Sequence, residues 1–391
     1  MEKRLGLTTL AAFILSILCG IFIPQFASDV EFAGTIYLNL LKMIIIPVLF
    51  FSITNALVNQ NKKVGKLTIK TIILFIVMFI VSFVLCSVLW HLIKPGVGFN
   101  FTEVDWNGTI VNISLNEFLI SLFPTNIVYA MSENLLLPTI MFSFAFGFAL
   151  SGIKPHGSDI LKTLNKVANK MLYYIMFLTP FGVFSLMYNT VAIYGGKIFA
   201  SALSYVIAAY AGCILITLLV MILPVWIYAK INPLKYIKRV YKIWLITSST
   251  CSSAATLPTT IKVCNEDFNV PSHITDLVVP LGCTIHMCGG AVSFSLLAMF
   301  NMQMMGIPMT IKTFLIMLFV ALILNMGAPG IPGGGIVIGA TYLSILGIPL
   351  TFIGFYAGIY RVLDIAYTSM NVTGDISANI LLSKHMSKKV A

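Results

Sequence analysis

Runs of nearly uncharged residues recur along the whole chain, at 5–23, 36–57, 71–92, 135–151, 172–193, 200–228, 277–300 and 351–381. A bilayer core takes about 20 apolar residues per helix, so these eight runs predict an all-α integral membrane protein of eight transmembrane helices. A shorter piece at 118–132 reads as part of a broken fourth span. Charged residues make up 9% of the 391 and hydrophobic ones 59%, whereas soluble domains are roughly 25% charged. So few charges cannot cover a water-facing surface. The chain must sit in lipid, which excludes a cytosolic enzyme, a nucleic-acid binder and a secreted disulfide scaffold.

The net charge of +11 is concentrated in clusters. Lys62, Lys63, Lys66 and Lys70 form one, and Lys154, Lys162, Lys166 and Lys170 a second. Lys230, Lys235, Lys238, Arg239 and Lys242 form a third, and Lys384, Lys388 and Lys389 close the chain. All read as polar breaks between apolar runs, which is the positive-inside pattern. The connections at 25–34 and 95–117 lack Lys and Arg and carry Asp29, Glu31, Glu103, Asp105 and Glu117; the sequons at Asn107 and Asn112 fall on the second. Both termini are therefore expected in the cytoplasm, with the protein multi-pass in the cell (inner) membrane. Seven cysteines, an odd number mostly in apolar runs, give no support for disulfides. Residues 1–20 carry a basic start and an apolar run without a small-residue cleavage pattern, so they read as a first span.

Two segments do not behave as simple spans. Residues 244–263 are interrupted by Ser248-Ser249-Thr250-Cys251-Ser252-Ser253-Ala254-Ala255-Thr256-Leu257-Pro258, and both ends look cytoplasmic. Residues 310–346 are interrupted by Gly327-Ala328-Pro329-Gly330-Ile331-Pro332-Gly333-Gly334-Gly335, and both ends look extracellular. A segment that enters and leaves on one face is a re-entrant hairpin, and non-helical backbone at that depth survives only where protein or a cavity covers it. Two opposed hairpins meeting near the midplane point to a transporter binding site. The plainer alternative is a kinked helix, which three consecutive glycines and two prolines argue against.

Asp364 and Asp375 lie inside the last run, where a carboxylate costs a few kcal/mol and marks a functional site by default. Asp364, Thr368, Asn371 and Asp375 recur at helical spacing on one face. Such a stripe suits an ammonium group and a cation; the alternative is a structural polar face bonded to neighbouring helices.

The Ser252-Ser253-Ala254-Ala255-Thr256-Leu257-Pro258 segment, the Gly330-Ile331-Pro332-Gly333 tip and Met370-Asn371-Val372-Thr373-Gly374-Asp375 resemble the dicarboxylate/amino acid:cation symporters, the glutamate-transporter family. Leu41-Lys42-Met43-Ile44-Ile45-Ile46-Pro47 is similar as well. The resemblance covers nearly the whole chain. It implies an elevator-type transporter with inverted repeats, working as a homotrimer. Residues 1–70 and 119–240 would form mainly the trimerisation scaffold, and 71–93 with 241–391 mainly the transport domain. It also implies substrate contacts from Ser252, Ser253, Gly290, Gly330, Ile331, Gly333, Asp364, Tyr367, Thr368 and Asn371, with ion coupling at Gly282, Thr284, His286, Asn371 and Asp375.

The departures from the family pattern bear on substrate. The family's Asn-Met-Asp-Gly-Thr signature reads His286-Met287-Cys288-Gly289-Gly290, the arginine found before the hairpin serines in some acidic-substrate members is Cys251, and the last-span arginine is Tyr367. A side-chain carboxylate would lose its bidentate partner, whereas Asp364 and Asn371 match the groups that hold amine and α-carboxylate. A neutral amino acid is thus favoured. Arg361, three residues before Asp364, could reach a substrate carboxylate or neutralise Asp364, and the second needs no ligand to explain it.

Ion coupling also looks altered. Hard cations do not accept thiol well, yet Cys288 stands at a family carboxylate and His286 at a family amide. Phe75, Met78 and Phe79 of the third span offer no oxygen where hydroxyls are expected. Histidine titrates near neutrality, so His286 beside Asp375 could take a proton in place of sodium, or leave an uncoupled exchanger; the alternative is a neutral, hydrogen-bonded His. A metal at Cys283, His286 and Cys288 is disfavoured, because a helical run would aim Cys288 away from His286.

These observations predict a carrier of a small amino acid or carboxylate, not an enzyme, with no cofactor beyond Na+ or H+ as coupling ion and no nucleic-acid partner. A sodium- or proton-coupled carrier of dicarboxylates or acidic amino acids, and a transport-inactive binding or sensor homologue, are the rival readings.

Overall fold

A computed structural model describes residues 2–58, 66–98, 120, 122–133, 135–153, 156–194, 197–326 and 334–387. Every regular element among them is helical. Helix α1 (Glu2–Phe22) is followed by a 3-10 turn at Pro24–Phe26 and then α2 (Ala27–Val58). The path bends there by 114°. The stretch 25–34, expected as an open connection, is therefore helical. Pro24 suits a first helical position and Asp29 sits in the first turn of α2, where a carboxylate complements the exposed N–H groups.

Helix α3 (Lys66–Ile93) buries Phe75, Met78, Phe79, Phe83, Cys86 and Trp90, while Ile69, Ile73, Val77, Val81, Val84 and Val88 are exposed. Apolar side chains on both faces are what a helix between protein and lipid needs. Within the piece at 118–132, Ile127–Ser132 forms helix α4; Asn126 caps it, and it packs on α5 (Leu136–Gly152). Then come α6 (His156–Met176) and α7 (Thr179–Tyr194), bent by 50°. Helices α8 (Lys197–Ile216) and α9 (Leu223–Ala229) join through a π-helical turn at Thr217–Ile222. Pro224, at the start of α9, cannot donate to an i−4 carbonyl, which favours the wider turn before it.

Two helix hairpins follow. The first is α10 (Pro233–Thr250) and α11 (Ser253–Lys262), with Cys251 and Ser252 at its tip. Its first arm starts before the predicted boundary at 244. After it come α12 (Ser272–Ile285) and α13 (Cys288–Met304). The second hairpin is α14 (Ile311–Met326) and α15 (Gly334–Ile345), and α16 (Ile353–Ser387) ends the chain. The Gly/Pro tip of the second hairpin lies outside the described residues, as do both sequons.

Two expectations need correction. The polar breaks that carry the basic clusters are themselves partly helical: Lys66 and Lys70 lie in α3, Lys162, Lys166 and Lys170 in α6, and Lys235, Lys238, Arg239 and Lys242 in α10. Lysine and arginine are good helix formers with long apolar stems, so they extend a helix past its apolar run. The run at 277–300 is not one continuous helix: His286 and Met287 are extended, with φ −114 and −121, and break it between α12 and α13. The side-chain bonds of His286 and the weak helix formers Gly289 and Gly290 favour that break.

By length and apolarity, Leu67–Ile93, Leu203–Ala229 and Ser272–Met304 are each fit to cross a membrane; two bent pairs, within α1–α2 and α6–α7, qualify if each is one span. Helices α1, α2, α5, α6 and α7 pack mainly on one another, and α16 meets α7, α8, α10, α11, α12, α13 and α15. Hydrogen bonds fix α16 there. Trp244 Nε1 donates to Thr373 Oγ1 at 2.8 Å, Thr247 and Ser369 hydroxyls lie 2.6 Å apart, and Asn379 Nδ2 donates to Thr275 Oγ1 at 3.0 Å.

Candidate functional site

The break in the α12–α13 rod, the two hairpins and the middle of α16 converge on one cavity of about 60 Å3, several times the space one water needs. Cys251 and Ser253 line it from the first hairpin, and Asn325, Gly335 and Ile338 from the second. Met287, Gly289, Gly290, Ser293 and Phe294 contribute from the break and α13; Tyr360, Asp364, Tyr367, Thr368 and Asn371 contribute from α16. The described lining holds one carboxylate and no Lys or Arg.

Local chemistry aims each group. Asp364 is buried, and its Oδ1 accepts from the Thr368 hydroxyl at 3.2 Å and, more loosely, from Tyr360 at 3.4 Å. Asn371 Oδ1 accepts from the Gly289 amide at 2.7 Å. A backbone N–H only donates, so this bond fixes the amide orientation and leaves Nδ2 as the donor group on its other side. The Ser293 hydroxyl is engaged with that of Tyr356 at 2.8 Å. At the first tip, Cys251 holds φ +48, a left-handed conformation that costs a side-chain-bearing residue roughly 1–2 kcal/mol; its N–H bonds Thr247 O at 2.7 Å. Ser252 caps α11 by accepting from the Ala255 amide.

Of the predicted substrate residues, Ser253, Gly290, Asp364, Tyr367, Thr368 and Asn371 thus meet at one cavity. Ser252 is buried as a helix cap next to it. Arg361 is half-buried on α16 and is not among the described lining residues. Gly330, Ile331 and Gly333 lie outside the described residues. The Tyr367 hydroxyl lies against that of Tyr205 without a closed hydrogen bond between them.

A second polar cluster sits behind the break. His286 Nδ1 lies 2.9 Å from Asp375 Oδ1, and Cys288 Sγ lies 2.9 Å from His286 Nε2. The expectation that Cys288 points away from His286 is overturned, because the chain between them is extended rather than helical. Phe75 stacks on the imidazole, ring centroids 4.3 Å apart. Ser82, one turn beyond the Phe75–Phe79 stretch, lies near the Cys288 thiol and donates its hydroxyl to Met78 O at 2.7 Å, a hydroxyl that the sequence reading missed. Gly282 backs onto the Asp375 carboxylate, where a Cβ would collide with it. The Thr284 side chain lies outside the described residues. Tyr236, Cys264 and Cys283 are further titratable groups near Asp375 among the described residues. Among the described residues no group of three or more His, Cys, Asp or Glu is arranged to hold a metal ion.

The stripe on α16 therefore serves two sites: Asp364, Thr368 and Asn371 face the cavity, and Asp375 faces His286. Asn325, Ser293 and Tyr360 were missed by sequence reasoning. Asn325 carries the one signal that could have found it, an amide at the end of the apolar run of α14.

Residues 5–385 match the model of the sodium:dicarboxylate symporter family. A proton/sodium-glutamate symport protein of Geobacillus stearothermophilus is 31% identical over 401 residues, covering 98% of this chain and 95% of its own. A proton/glutamate-aspartate symporter of Bacillus subtilis is 29% identical, at 98% and 95% coverage. A C4-dicarboxylate transport protein of Pectobacterium atrosepticum is 27% identical, at 98% and 92%.

Proposed function

The chain belongs to the sodium:dicarboxylate symporter family, and from that premise we propose that it is a cation-coupled secondary transporter of a small neutral amino acid. The observation that carries the substrate class is the cavity lining, with its single carboxylate and no described cation. Asp364 suits an ammonium group, and the Nδ2 donor of Asn371 suits an α-carboxylate. A second carboxylate on the cargo would find, among the described lining residues, no bidentate partner of the kind that such a group needs. Relatives named for glutamate and C4-dicarboxylates motivate the rival reading, in which Arg361 reaches an acidic cargo.

The coupling ion we assign is a proton. With Asp375 ionised, His286 donates Nδ1–H to it and Nε2 accepts the Cys288 thiol proton. The cluster then carries one uncompensated negative charge, and a buried charge demands a partner. One proton supplies it. Sodium would need oxygens where a thiol and an imidazole stand. The cluster and the cavity share the 286–290 segment: Cys288 bonds His286 while Gly289 bonds Asn371. Filling one site thus biases the geometry of the other, which is the thermodynamic content of coupling. Movement as an elevator within a homotrimer, scaffold at 1–70 and 119–240 and transport domain at 71–93 and 241–391, belongs to the same proposal. So does an inner-membrane location with cytoplasmic termini, supported by the clustered lysines.

Counterflow in proteoliposomes tests it. Saturable exchange of neutral amino acids, driven by a pH gradient without sodium, is the expected result. Competition by L-glutamate or succinate alone would transfer the cargo to the acidic class, and no exchange with any solute would leave a binding or sensor homologue. An unchanged pH dependence in His286→Asn would remove the proton from the proposal.

A further inference from the structure

We propose that Asn325 is a specificity-determining residue that selects cargo bearing a hydrogen-bonding group on its side chain, such as a hydroxyl. The inference rests on the neutral amino acid reading above and goes further, because it names the kind of side chain.

Asn325 ends the first arm of the second hairpin, is 1% exposed and lines the cavity. Its Oδ1 has no hydrogen-bond partner among the described residues. The nearest wall is Gly290, where an added Cβ would run into that oxygen. The amide thus occupies the space that any larger residue at position 290 would need, and the approach is close because glycine permits it.

Apart from the Tyr367 hydroxyl, which lies against Tyr205 and is likewise without a partner among the described residues, the other polar lining groups with a described bond contrast with it. Ser293 is engaged with Tyr356, Thr368 with Asp364, and the Asn371 oxygen with the Gly289 amide. Apart from the engaged Ser293, the other described lining residues of the second hairpin and α13 are apolar or bare: Ile338, Gly335, Phe294, Gly289 and Gly290. A buried polar atom without a partner is costly to a protein and rare in native structures, and in a cavity its partner is expected on the ligand. If Asp364 and Asn371 hold amine and carboxylate, Asn325 is available to read the side chain from the second hairpin, opposite the α16 wall that carries Tyr367. An amide offers an acceptor and a donor, so a hydroxyl satisfies either orientation, whereas a methyl group satisfies neither and leaves the amide buried and unpaired.

The test compares L-serine, L-alanine and L-aspartate by calorimetric binding to detergent-purified wild type, Asn325→Ala and Asn325→Ser. Wild type is expected to bind L-serine about tenfold tighter than L-alanine, as one hydrogen bond allows. Asn325→Ala should bind the two alike, with L-alanine affinity within about threefold of wild type. Asn325→Ser, which keeps a hydroxyl, should retain part of the preference. Because the Oδ1 is unpartnered, the ligand-free Tm of Asn325→Ala should not fall, which separates selection from a structural role. Equal binding of L-serine and L-alanine by wild type, or an undiminished preference in Asn325→Ala, overturns the inference while leaving the neutral cargo standing. Binding of L-aspartate with neither neutral probe overturns the underlying reading and the inference with it.

Discussion

His286 Nδ1 stands 2.9 Å from Asp375 Oδ1, and both side chains are closed off from water. With the Cys288 thiol on the other ring nitrogen, three residues from the α12–α13 break and α16 form one hydrogen-bonded chain. Asp375→Asn keeps an acceptor for Nδ1–H and removes the charge. It is expected to retain exchange of cargo while losing its response to an imposed pH gradient. Proteoliposome flux with and without the gradient checks this; a response equal to wild type would refute it.

Cys288 separates hydrogen bonding from packing. Cys288→Ser keeps a donor for His286 Nε2 and should leave stability near wild type. Cys288→Val fills similar space but leaves that nitrogen buried and unpaired, at a cost of about 1–3 kcal/mol. Thermal unfolding in detergent should rank wild type and Ser above Val.

Gly282 admits the Asp375 carboxylate, and the Cβ of an alanine there would collide with it. Gly282→Ala should cost about 1–3 kcal/mol by overpacking and disturb pH-driven uptake together with stability. Gly152, which has nothing within 4 Å of an added Cβ, provides the control. Gly152→Ala should change neither readout.

Asp364 tests the cargo's amine. Asp364→Asn removes the only carboxylate in the described lining. Losing one partner of a buried charged pair costs about 2–5 kcal/mol, so amino acid binding should fall below calorimetric detection. Retained binding of amine-free carboxylates by the same variant would favour the dicarboxylate reading.

Trp244 ties the first hairpin to α16 through a 2.8 Å bond from Nε1 to Thr373 Oγ1, away from the cavity. Trp244→Phe should lose about 0.5–1.5 kcal/mol of stability with cargo affinity unchanged. A change in affinity larger than the change in stability would indicate that the hairpin's seating sets the site.

Much of this was legible in the sequence, because lipid imposes simple demands. Uncharged runs pointed to helices, and the Ser/Thr-rich interruption at 248–258 pointed to a covered hairpin tip, which the structure narrows to Cys251 and Ser252 between α10 and α11. Helical periodicity put Asp364, Thr368 and Asn371 on one face, and they share one cavity. Family motifs named Ser253 and Gly290 for the same place. What the sequence could not determine depends on contacts between segments far apart in the chain. Periodicity assumes that a helix continues, so it aimed Cys288 away from His286; the break at His286–Met287 is held by Asp375, 89 residues away, and reverses that direction. The role of Asn325 arises only because α14 brings it against Gly290. Local spacing fixes which face a side chain occupies, and only tertiary packing decides what stands opposite it.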